Sequence, residues 1–559
     1  MTSASFRVQV VIDLLKKHNI KNIVFSPGSR NAPLVIGFNS DDYFHKKVLV
    51  DERSAAFYAL GMAQQLKEPV VICSTSGSAV LNYSPAIAEA FYQKIPLIVI
   101  TADRPPEWID HGEGQSMRQN EVYKNFIAGS FNLPMLDHPD ALWQTGVVIN
   151  EAIHITQNQS KPIHINFPFR EPLYETVNQP NKIARKITHY KVEKSLSNNQ
   201  LDELNKIWNN SSKKMIICGS LPKNNELNNL LIKINNEPSL CILTESTSNL
   251  YHENFISCID RTLERIYGKP EFIPETIITI GNSIISKKIK TLLRKYNPNH
   301  HWHIEDTNRA QDVFSSMTHF IPIEPVKFFQ QLISLNKKQS ISNFGLSWEK
   351  EFIESEKIHK KFLKNCDWSD LKAHSLIQDS IQKEKVSIQM GNSSSVRYIQ
   401  LFSSCENILY NSNRGVSGID GSSSTAVGAA SSINNPTLLI TGDLSFIYDQ
   451  NALWNNSLPN NLKIIVINNQ GGGIFNIIPG PKTTPYAKKH FETKHDLSLD
   501  KIAATFKINY QYADNENDAV ECLNNILKSD KIEILEFFTG NSNNEGVLND
   551  YFSTINNNL

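Results

Sequence analysis

The chain has 559 residues, 40% hydrophobic and 20% charged, and its 56 Lys and Arg residues balance 56 Asp and Glu residues. This length predicts three or four domains, and the zero net charge argues against nucleic acid as a partner. The seven cysteines include no CxxC pair, and no apolar run approaches the roughly 20 residues that span a bilayer. We therefore expect reduced thiols, a cytoplasmic location and no membrane span.

Short apolar runs alternate with helical patterns along the chain, which is typical of parallel sheets covered by helices on both faces. We predict an α/β fold of three doubly wound parallel-sheet domains. The first, residues 1–180, contains the strand candidates NIVFS, PVVICST and IPLIVITA. A linker rich in Asn, Lys and Ser leads to the second, residues 185–340, with KKMIICG, SLCILTE and ETIITIG. A polar helical stretch, 347–383, leads into the third, residues 355–559, with VSIQMG, PTLLITG, LKIIVINN and KIEILEFF.

Polar residues end two strands of the third predicted domain. Gly442 and Asp443 follow PTLLIT, and Asn468 and Asn469 end LKIIVINN. Because ligands bind outside the carboxyl ends of parallel strands, we expect both groups at one edge of the sheet. Their oxygen atoms suit Mg²⁺ together with a phosphate, which the glycines at 471–473 allow to approach the backbone. The alternative for either half alone is a capping Asp or an Asn-Gly turn.

These stretches resemble the metal-diphosphate motif of thiamine-diphosphate-dependent enzymes, although Leu444 stands where the general motif has glycine. The resemblance implies that Asp443, Asn469 and the Gly471 carbonyl bind Mg²⁺ or Mn²⁺. It makes residues 1–180 the pyrimidine-binding domain and residues 355–559 the diphosphate-binding domain. It also implies that the cofactor contacts further residues of the third domain, namely Ser393, Ile419, Gly442, Leu444, Ser445, Gly472, Ile474 and Phe475.

The same resemblance implies a carboxylate at the other end of the cofactor, where tautomerisation of the aminopyrimidine activates the thiazolium carbon. Glu52 fits this catalytic role, because it lies where a predicted strand meets a helix in the first domain. Without the resemblance, Glu52 is interpreted as an acid stabilised by the helix dipole. In this superfamily different subunits hold the two halves of the cofactor, so a homodimer or homotetramer is implied.

Five longer stretches narrow the resemblance: SPGSRNAPL, TADRPPEWIDHGEGQSMRQ, GNSSSVR, SNRGVSGIDG and GDLSFIYDQNAL. Leu444 departs from the general motif, but one family has leucine at this position. The chain resembles the 2-succinyl-5-enolpyruvyl-6-hydroxy-3-cyclohexene-1-carboxylate synthases, the carboligases of menaquinone biosynthesis. That family decarboxylates 2-oxoglutarate and adds the resulting succinyl-semialdehyde carbanion to isochorismate, with release of CO₂.

Both substrates are dianions, so their pocket should contain several guanidinium or ammonium groups. The resemblance implies substrate binding by Ser29, Arg30, Arg104, Gln115, Lys288, Arg397 and Arg414. Ile419 is implied to keep the two cofactor rings folded, and Ile474 and Phe475 to line the thiazolium. Taken alone, each Arg is interpreted as a surface ion pair and each apolar residue as core. Lys288 departs from the Lys-Arg that the family often shows, and a solvated helix face is its alternative.

Two alternatives to this function stay open. The first is another thiamine-diphosphate-dependent 2-oxo acid decarboxylase or carboligase with a different acceptor, which would not need so many arginines. The second is a catalytically silent subunit, which would not need Glu52, Asp443 and Asn469 together. A nicotinamide-dependent dehydrogenase is disfavoured, because no GxGxxG follows an early strand.

Overall fold

The computed structural model describes residues 1–136, 138–180, 184–335, 342–477, 480 and 483–557. The described strands form three open parallel sheets and a two-stranded antiparallel ribbon. Neighbouring residues of one strand enter different cores: Val24 and Ile72 pack into one cluster, and Ile23 and Val71 into another. Since both faces of the sheet are buried, the predicted α/β class with doubly wound sheets is confirmed.

The first sheet has the strand order β3-β2-β4-β5-β7-β6, and β1 pairs with β8 in the ribbon. The strands are β1 (Thr2–Ser3), β2 (Asn22–Phe25), β3 (His45–Val48), β4 (Val70–Ser74), β5 (Leu97–Asp103), β6 (Ser130–Asn132), β7 (Ile163–Pro168) and β8 (Thr176–Val177). The helices around them are α1 (Phe6–Lys17), α2 (Ala32–Asn39), α3 (Glu52–Leu66), α4 (Ser78–Asn82), α5 (Ser84–Gln93) and α6 (Pro139–Gln159).

The second sheet has the order β10-β9-β11-β12-β13. Its strands are β9 (Lys214–Cys218), β10 (Leu240–Thr244), β11 (Thr276–Ile280), β12 (His300–Ile304) and β13 (His319–Ile321). The helices of this part of the chain are α7 (Asn198–Asn210), α8 (Asn225–Ile234), α9 (Ile259–Ile266), α10 (Lys287–Lys295), α11 (Pro325–Ser334) and α12 (Phe344–Asn365). Helix α12 places Trp348 and Phe352 in the core beside β10.

The third sheet has the order β15-β14-β16-β17-β19-β18. Its strands are β14 (Ser387–Met390), β15 (Leu409–Ser412), β16 (Thr437–Gly442), β17 (Leu462–Asn468), β18 (Asn509–Ala513) and β19 (Glu533–Phe538). The helices are α13 (Asp370–Ile381), α14 (Ser394–Ile399), α15 (Ser422–Ala430), α16 (Asp443–Tyr448), α17 (Ile474–Ile477), α18 (Leu499–Thr505), α19 (Glu516–Lys528) and α20 (Asn544–Asn557).

The predicted helical stretch 347–383 is formed by two helices, α12 and α13, with a break at residues 366–369. Ser369 caps α13, because its side chain accepts a hydrogen bond from the backbone N–H of Lys372. The Trp368 indole donates to the Phe538 carbonyl at 2.8 Å and anchors the break to the end of β19. This break puts Asp370 at the start of a helix, next to the edge of the third sheet.

The first and third sheets share one strand order, and in both the chain reverses its direction of travel after its first two strands. The reversal lies between β2 and β4 and between β14 and β16, and ligands bind at such points in open sheets. The loops approach closely there: a Cβ on Gly28 would lie 2.3 Å from the Cβ of Thr75, and one on Gly391 2.6 Å from Oγ1 of Thr441. Glycine is therefore needed at both positions.

Helices α3 and α15 join the first domain to the third by a close crossing. A Cβ on Gly61 would lie 2.0 Å from the Thr425 carbonyl oxygen, and one on Gly428 1.9 Å from that of Tyr58. At the N-terminus of α3, Asp51 accepts from the backbone N–H of Ser54. The crossing therefore fixes where Glu52 lies relative to the third domain. None of the helices in the described part of the chain is long and apolar enough to cross a membrane.

Candidate active site

A pocket of about 140 Å³ lies at the carboxyl edge of the third sheet. Loops after β14, β16 and β17 form much of its wall, because parallel strands end at the same edge. Apart from Glu52, all residues predicted to contact the cofactor line it: Ser393, Ile419, Gly442, Asp443, Leu444, Ser445, Asn469, Gly471, Gly472, Ile474 and Phe475.

Asp443 connects the end of β16 to the loop after β17. Its side chain is 2% exposed. Oδ1 accepts from the backbone N–H of Leu444 at 2.7 Å, and Oδ2 accepts from that of Gly471 at 2.9 Å. The Nε2 atom of His495 is 3.1 Å from Oδ2, and this hydrogen bond raises the pKa of the imidazole. A buried carboxylate thus sits between two glycine-containing loops.

The two asparagines after β17 have different surroundings. Asn468 donates from Nδ2 to Oε1 of Glu536 at 2.8 Å, and its Oδ1 accepts from the Gln470 N–H at 3.0 Å. Asn469 donates from Nδ2 to Oδ2 of Asp370 at 2.9 Å. The buried Oδ1 of Asn469 has no hydrogen-bond partner within the described residues. Asn468 is therefore structural, and Asn469 presents an uncommitted oxygen.

This donor set fits a divalent cation held against a diphosphate. It contains the Asp443 carboxylate, the uncommitted Oδ1 of Asn469 and the Gly471 carbonyl, and Mg²⁺ prefers such oxygens. The Gly471 carbonyl accepts from the Gly473 N–H at 3.0 Å and keeps a second lone pair. A Cβ on Gly442 would meet no atom within 4 Å, so open space lies beside the carboxylate. A side chain at Gly442 would fill that space.

Asp370, which sequence analysis missed, holds Asn469 in place. Its Oδ1 accepts from the Thr539 hydroxyl at 2.6 Å, and its backbone N–H donates to Oδ1 of Asn544 at 2.7 Å. Asp370 is 2% exposed, and burial raises its pKa to about 6. In the sequence it follows the capping Ser369, so the local pattern indicates only the start of a helix.

Glu52 does not line the pocket of its own chain. It is half-buried, and Nδ2 of Asn82 lies 3.5 Å from its Oε2. Its neighbour Arg53 donates to the Tyr448 carbonyl at 2.9 Å, and Asn451 donates to Oδ2 of Asp51 at 2.8 Å. The start of α3 therefore faces the end of α16, away from the Asp443 carboxylate at the other end of that helix.

Arg30 and Arg104 converge at the reversal point of the first sheet. Arg30 is 3% exposed and donates to Oε1 of Glu171 at 2.7 Å, and NH1 of Arg104 lies 3.9 Å from the same oxygen. The Arg30 guanidinium holds the pKa of Glu171 below its ordinary value. Arg104 also donates to the carbonyl of Gly114, beside the exposed Gln115, at 2.9 Å. The exposed Ser29 adjoins Arg30 in the chain.

Arg397 and Arg414 form a second cationic pair, between the second and third sheets. Arg414 donates to Oδ1 of Asn392 at 3.0 Å. Burial lowers the pKa of both guanidinium groups, and the charge of Arg397 lowers that of Arg414 further. The buried Glu245 attracts both, and it also accepts from the backbone N–H of Ser286 at 2.7 Å. These cations therefore lie close to an internal counter-charge.

The structure does not bring Lys288 into contact with this pair. The Lys288 ammonium forms an ion pair with Glu264 and stands 3.8 Å from the centre of the Phe552 ring. Lys290, two residues further along α10, is the lysine whose pKa is lowered by burial and by the charges of Arg414 and Arg397. Sequence analysis missed Lys290, because a lysine on a helix surface carries no signal of what it faces.

Known proteins match the chain along nearly its whole length. Residues 7–124 match the family described as "Thiamine pyrophosphate enzyme, N-terminal TPP binding domain". A protein of Flavobacterium johnsoniae named 2-succinyl-5-enolpyruvyl-6-hydroxy-3-cyclohexene-1-carboxylate synthase is 43% identical, over 98% of each chain. Proteins with the same name from Flavobacterium psychrophilum and Porphyromonas gingivalis are 42% and 37% identical. These two alignments cover 98% of this chain, and 98% and 97% of the respective relatives.

Proposed function

The chain belongs to the 2-succinyl-5-enolpyruvyl-6-hydroxy-3-cyclohexene-1-carboxylate synthase family, and we propose that its third-sheet pocket is the diphosphate end of the active site. It is a thiamine-diphosphate-dependent transferase of menaquinone biosynthesis. Its reaction decarboxylates 2-oxoglutarate and joins the remaining four-carbon unit to isochorismate. The uncommitted Oδ1 of Asn469 in the same pocket as Asp443 is the observation that carries the proposal.

Asp443, Asn469 and the Gly471 carbonyl would hold Mg²⁺ or Mn²⁺ in this pocket. Thiamine diphosphate, when bound, supplies the carbon nucleophile and the electron sink for decarboxylation. Ile419, Ile474 and Phe475 line the pocket with apolar surface and exclude water from it. Excluding water favours loss of CO₂, because charge is neutralised as the gas leaves.

Two separate groups of cations suit two dianionic substrates. Arg30 and Arg104 form one group in the first domain, with Ser29 and Gln115 as hydrogen-bonding neighbours. Arg397 and Arg414 form the other in the third domain. The Nε atoms of all four arginines are buried without a hydrogen-bond partner in the described part of the chain, so donors remain for substrate carboxylates. Lys288 would bind a substrate carboxylate only by giving up Glu264, which already pairs with it.

We further propose a homodimer, or a tetramer of two such dimers, in which each subunit supplies Glu52 to the pocket of its partner. Among the described residues, the acids that line the pocket are Asp370 and Asp443, at its diphosphate end, and a hydrogen bond from Asn82 is what the structure shows for the Glu52 carboxylate. Val50, two residues before Glu52, is 46% exposed, and Leu81, next to Asn82, is 49% exposed. A second copy that delivers Glu52 would bury them. All seven cysteines are free, which supports the reducing cytoplasm as the location.

The test uses purified protein with thiamine diphosphate, Mg²⁺ and 2-oxoglutarate, and follows CO₂ release and isochorismate consumption together. The proposal predicts equimolar CO₂ release and isochorismate loss, and strong dependence of both on the metal. CO₂ release at the same rate with and without isochorismate would show that the acceptor is a different molecule. Bound cofactor with no turnover would favour a silent subunit.

A further inference from the structure

A buried carboxylate of the first domain binds a loop of the third domain. Glu89, on α5, is 1% exposed. Its Oε1 accepts from the backbone N–H of Gly415, and its Oε2 from those of Val416 and Ser417, at 2.5, 2.7 and 3.2 Å. Successive N–H groups that converge on one anion form a nest, which Ser417 closes with a left-handed φ of 66°.

The contact between Glu89 and this loop leaves no room for a side chain at Gly415. A Cβ there would lie 2.6 Å from the backbone oxygen of Glu89. Gln93, one turn further along α5, donates to Oε1 of Glu89 at 2.6 Å and also lies 3.3 Å from Oδ1 of Asn413. The carboxylate is therefore held in one orientation toward the loop.

Third-domain side chains hold the same loop from the other side. Asn392 donates from Nδ2 to the carbonyls of Asn413 and Gly418, at 2.7 Å each, and its Oδ1 accepts from Arg414. The Ser445 hydroxyl donates to the Ile419 carbonyl at 2.9 Å. Residues 413–419, the 413–419 loop, thus connect a substrate arginine to a wall of the cofactor pocket, with Glu89 as their anchor in the first domain.

We propose that Glu89 is a positioning residue that fixes the 413–419 loop, and through it Arg414 and Ile419, for the substrate and the cofactor. The inference rests on the proposed function, since Arg414 is a proposed substrate residue. Asn392 binds one guanidinium nitrogen of Arg414 and two carbonyls of the loop, and Glu89 holds the N–H groups of the three residues that follow Arg414. Without the carboxylate, the loop loses the acceptor for three consecutive N–H groups.

The test is Glu89→Gln, which keeps the size of the side chain and removes its charge. In either orientation, the amide NH₂ faces an N–H donor of the loop, so at least one donor loses its partner. We expect hydrogen exchange at residues 415–417 of the protein without ligands to accelerate about tenfold or more. We also expect KM for one dianionic substrate to rise about tenfold. The effect on kcat should be smaller.

The matched control is Glu305→Gln, which alters another buried carboxylate between domains. Glu305 pairs with Lys94 of the first domain, and no hydrogen bond or ion pair among the described residues joins it to the 413–419 loop. The melting temperature of the Glu305→Gln protein should fall, while hydrogen exchange at residues 415–417 and the KM values for both substrates stay at wild-type levels. A double variant, Glu89→Gln with Arg414→Lys, should raise KM no more than the larger single effect, because both changes act through one group.

Unchanged hydrogen exchange at residues 415–417 in Glu89→Gln would show that Glu89 does not hold the 413–419 loop, and would overturn the proposal. Faster exchange with unchanged KM values would overturn the positioning role, provided that Arg414→Lys raises KM. Multiplying effects in the double variant would also overturn it, because Glu89 would then act independently of Arg414. An Arg414→Lys protein with wild-type KM values would instead overturn the proposed substrate role of Arg414. Hydrogen exchange at residues 415–417 alone would then decide whether Glu89 holds the 413–419 loop.

Discussion

Replacing Asp370 by alanine should weaken the binding of Mg²⁺ without removing any proposed metal ligand. Nδ2 of Asn469 would lose its acceptor at 2.9 Å, and the Thr539 hydroxyl would lose one at 2.6 Å. The Asn469 amide is then free to rotate, so its uncommitted Oδ1 no longer has a fixed direction. Loss of such an orienting partner typically weakens metal affinity about 10- to 100-fold. This corresponds to about 1.4–2.7 kcal/mol.

The assay is calorimetric titration of Mg²⁺ into protein that is saturated with thiamine diphosphate. Asp370→Asn is the matched control, because its amide oxygen can still accept from Asn469 while its NH₂ donates to the Thr539 hydroxyl. It should bind Mg²⁺ within a few-fold of wild type. A folded Asp370→Ala protein that binds Mg²⁺ as tightly as wild type would refute the reasoning, because the orientation of Asn469 would then not matter.

Glu52→Gln should lower turnover about 100- to 10,000-fold, as expected for loss of a proton-transfer group, and leave the dissociation constant of thiamine diphosphate nearly unchanged; near-normal kcat would remove Glu52 from the mechanism. Gly428→Ala should lower the free energy of unfolding by about 1–3 kcal/mol or more, measured in urea, because its Cβ would overlap the Tyr58 carbonyl; an unchanged midpoint would show that the crossing can relax. Burial lowers the pKa of His164 and of His359 to about 3, from 6.5. Since the unfolded chain then binds more protons, stability present above pH 6.5 is lost as the pH falls toward 3. Each histidine should therefore lower the free energy of unfolding by about 2 kcal/mol when the pH falls from 7 to 5. Calorimetry at both pH values tests this, and a higher melting temperature at pH 5 would contradict it.

The sequence predicted the sheets and the edge where the pocket lies. Apolar runs such as LKIIVINN are long enough to define buried strands, and parallel pairing then brings Gly442 and Asn469 to the same edge. The strand pattern alone could not distinguish Asn468 from Asn469, because the two follow one strand and differ only in which way they point, and the family resemblance singled out Asn469. The proposed roles of the arginines and of Glu52 came from the family resemblance, because the periodicity of apolar residues does not indicate them.

Other parts of the site depend on contacts between residues far apart in the chain. Asp370 reaches Asn469 only because Trp368 and Ser369 start α13 beside the end of β19. Glu89 reaches residues 415–417 because the first and third domains pack together. Lys288 and Lys290 lie on the same short helix, so the sequence could not tell which of them faces the arginines. Each of these positions is set by tertiary packing, which leaves no local pattern.

The most direct measurement is the activity of a mixed dimer made from two inactive chains, Glu52→Gln and Asp443→Ala. The chains are co-expressed with different tags, and the species that carries both tags is purified. If Glu52 acts on the pocket of its partner, one site of this dimer contains both changes and the other contains neither. The purified heterodimer should then show about half of the wild-type turnover. No activity in a heterodimer that binds thiamine diphosphate would contradict an active site shared between subunits.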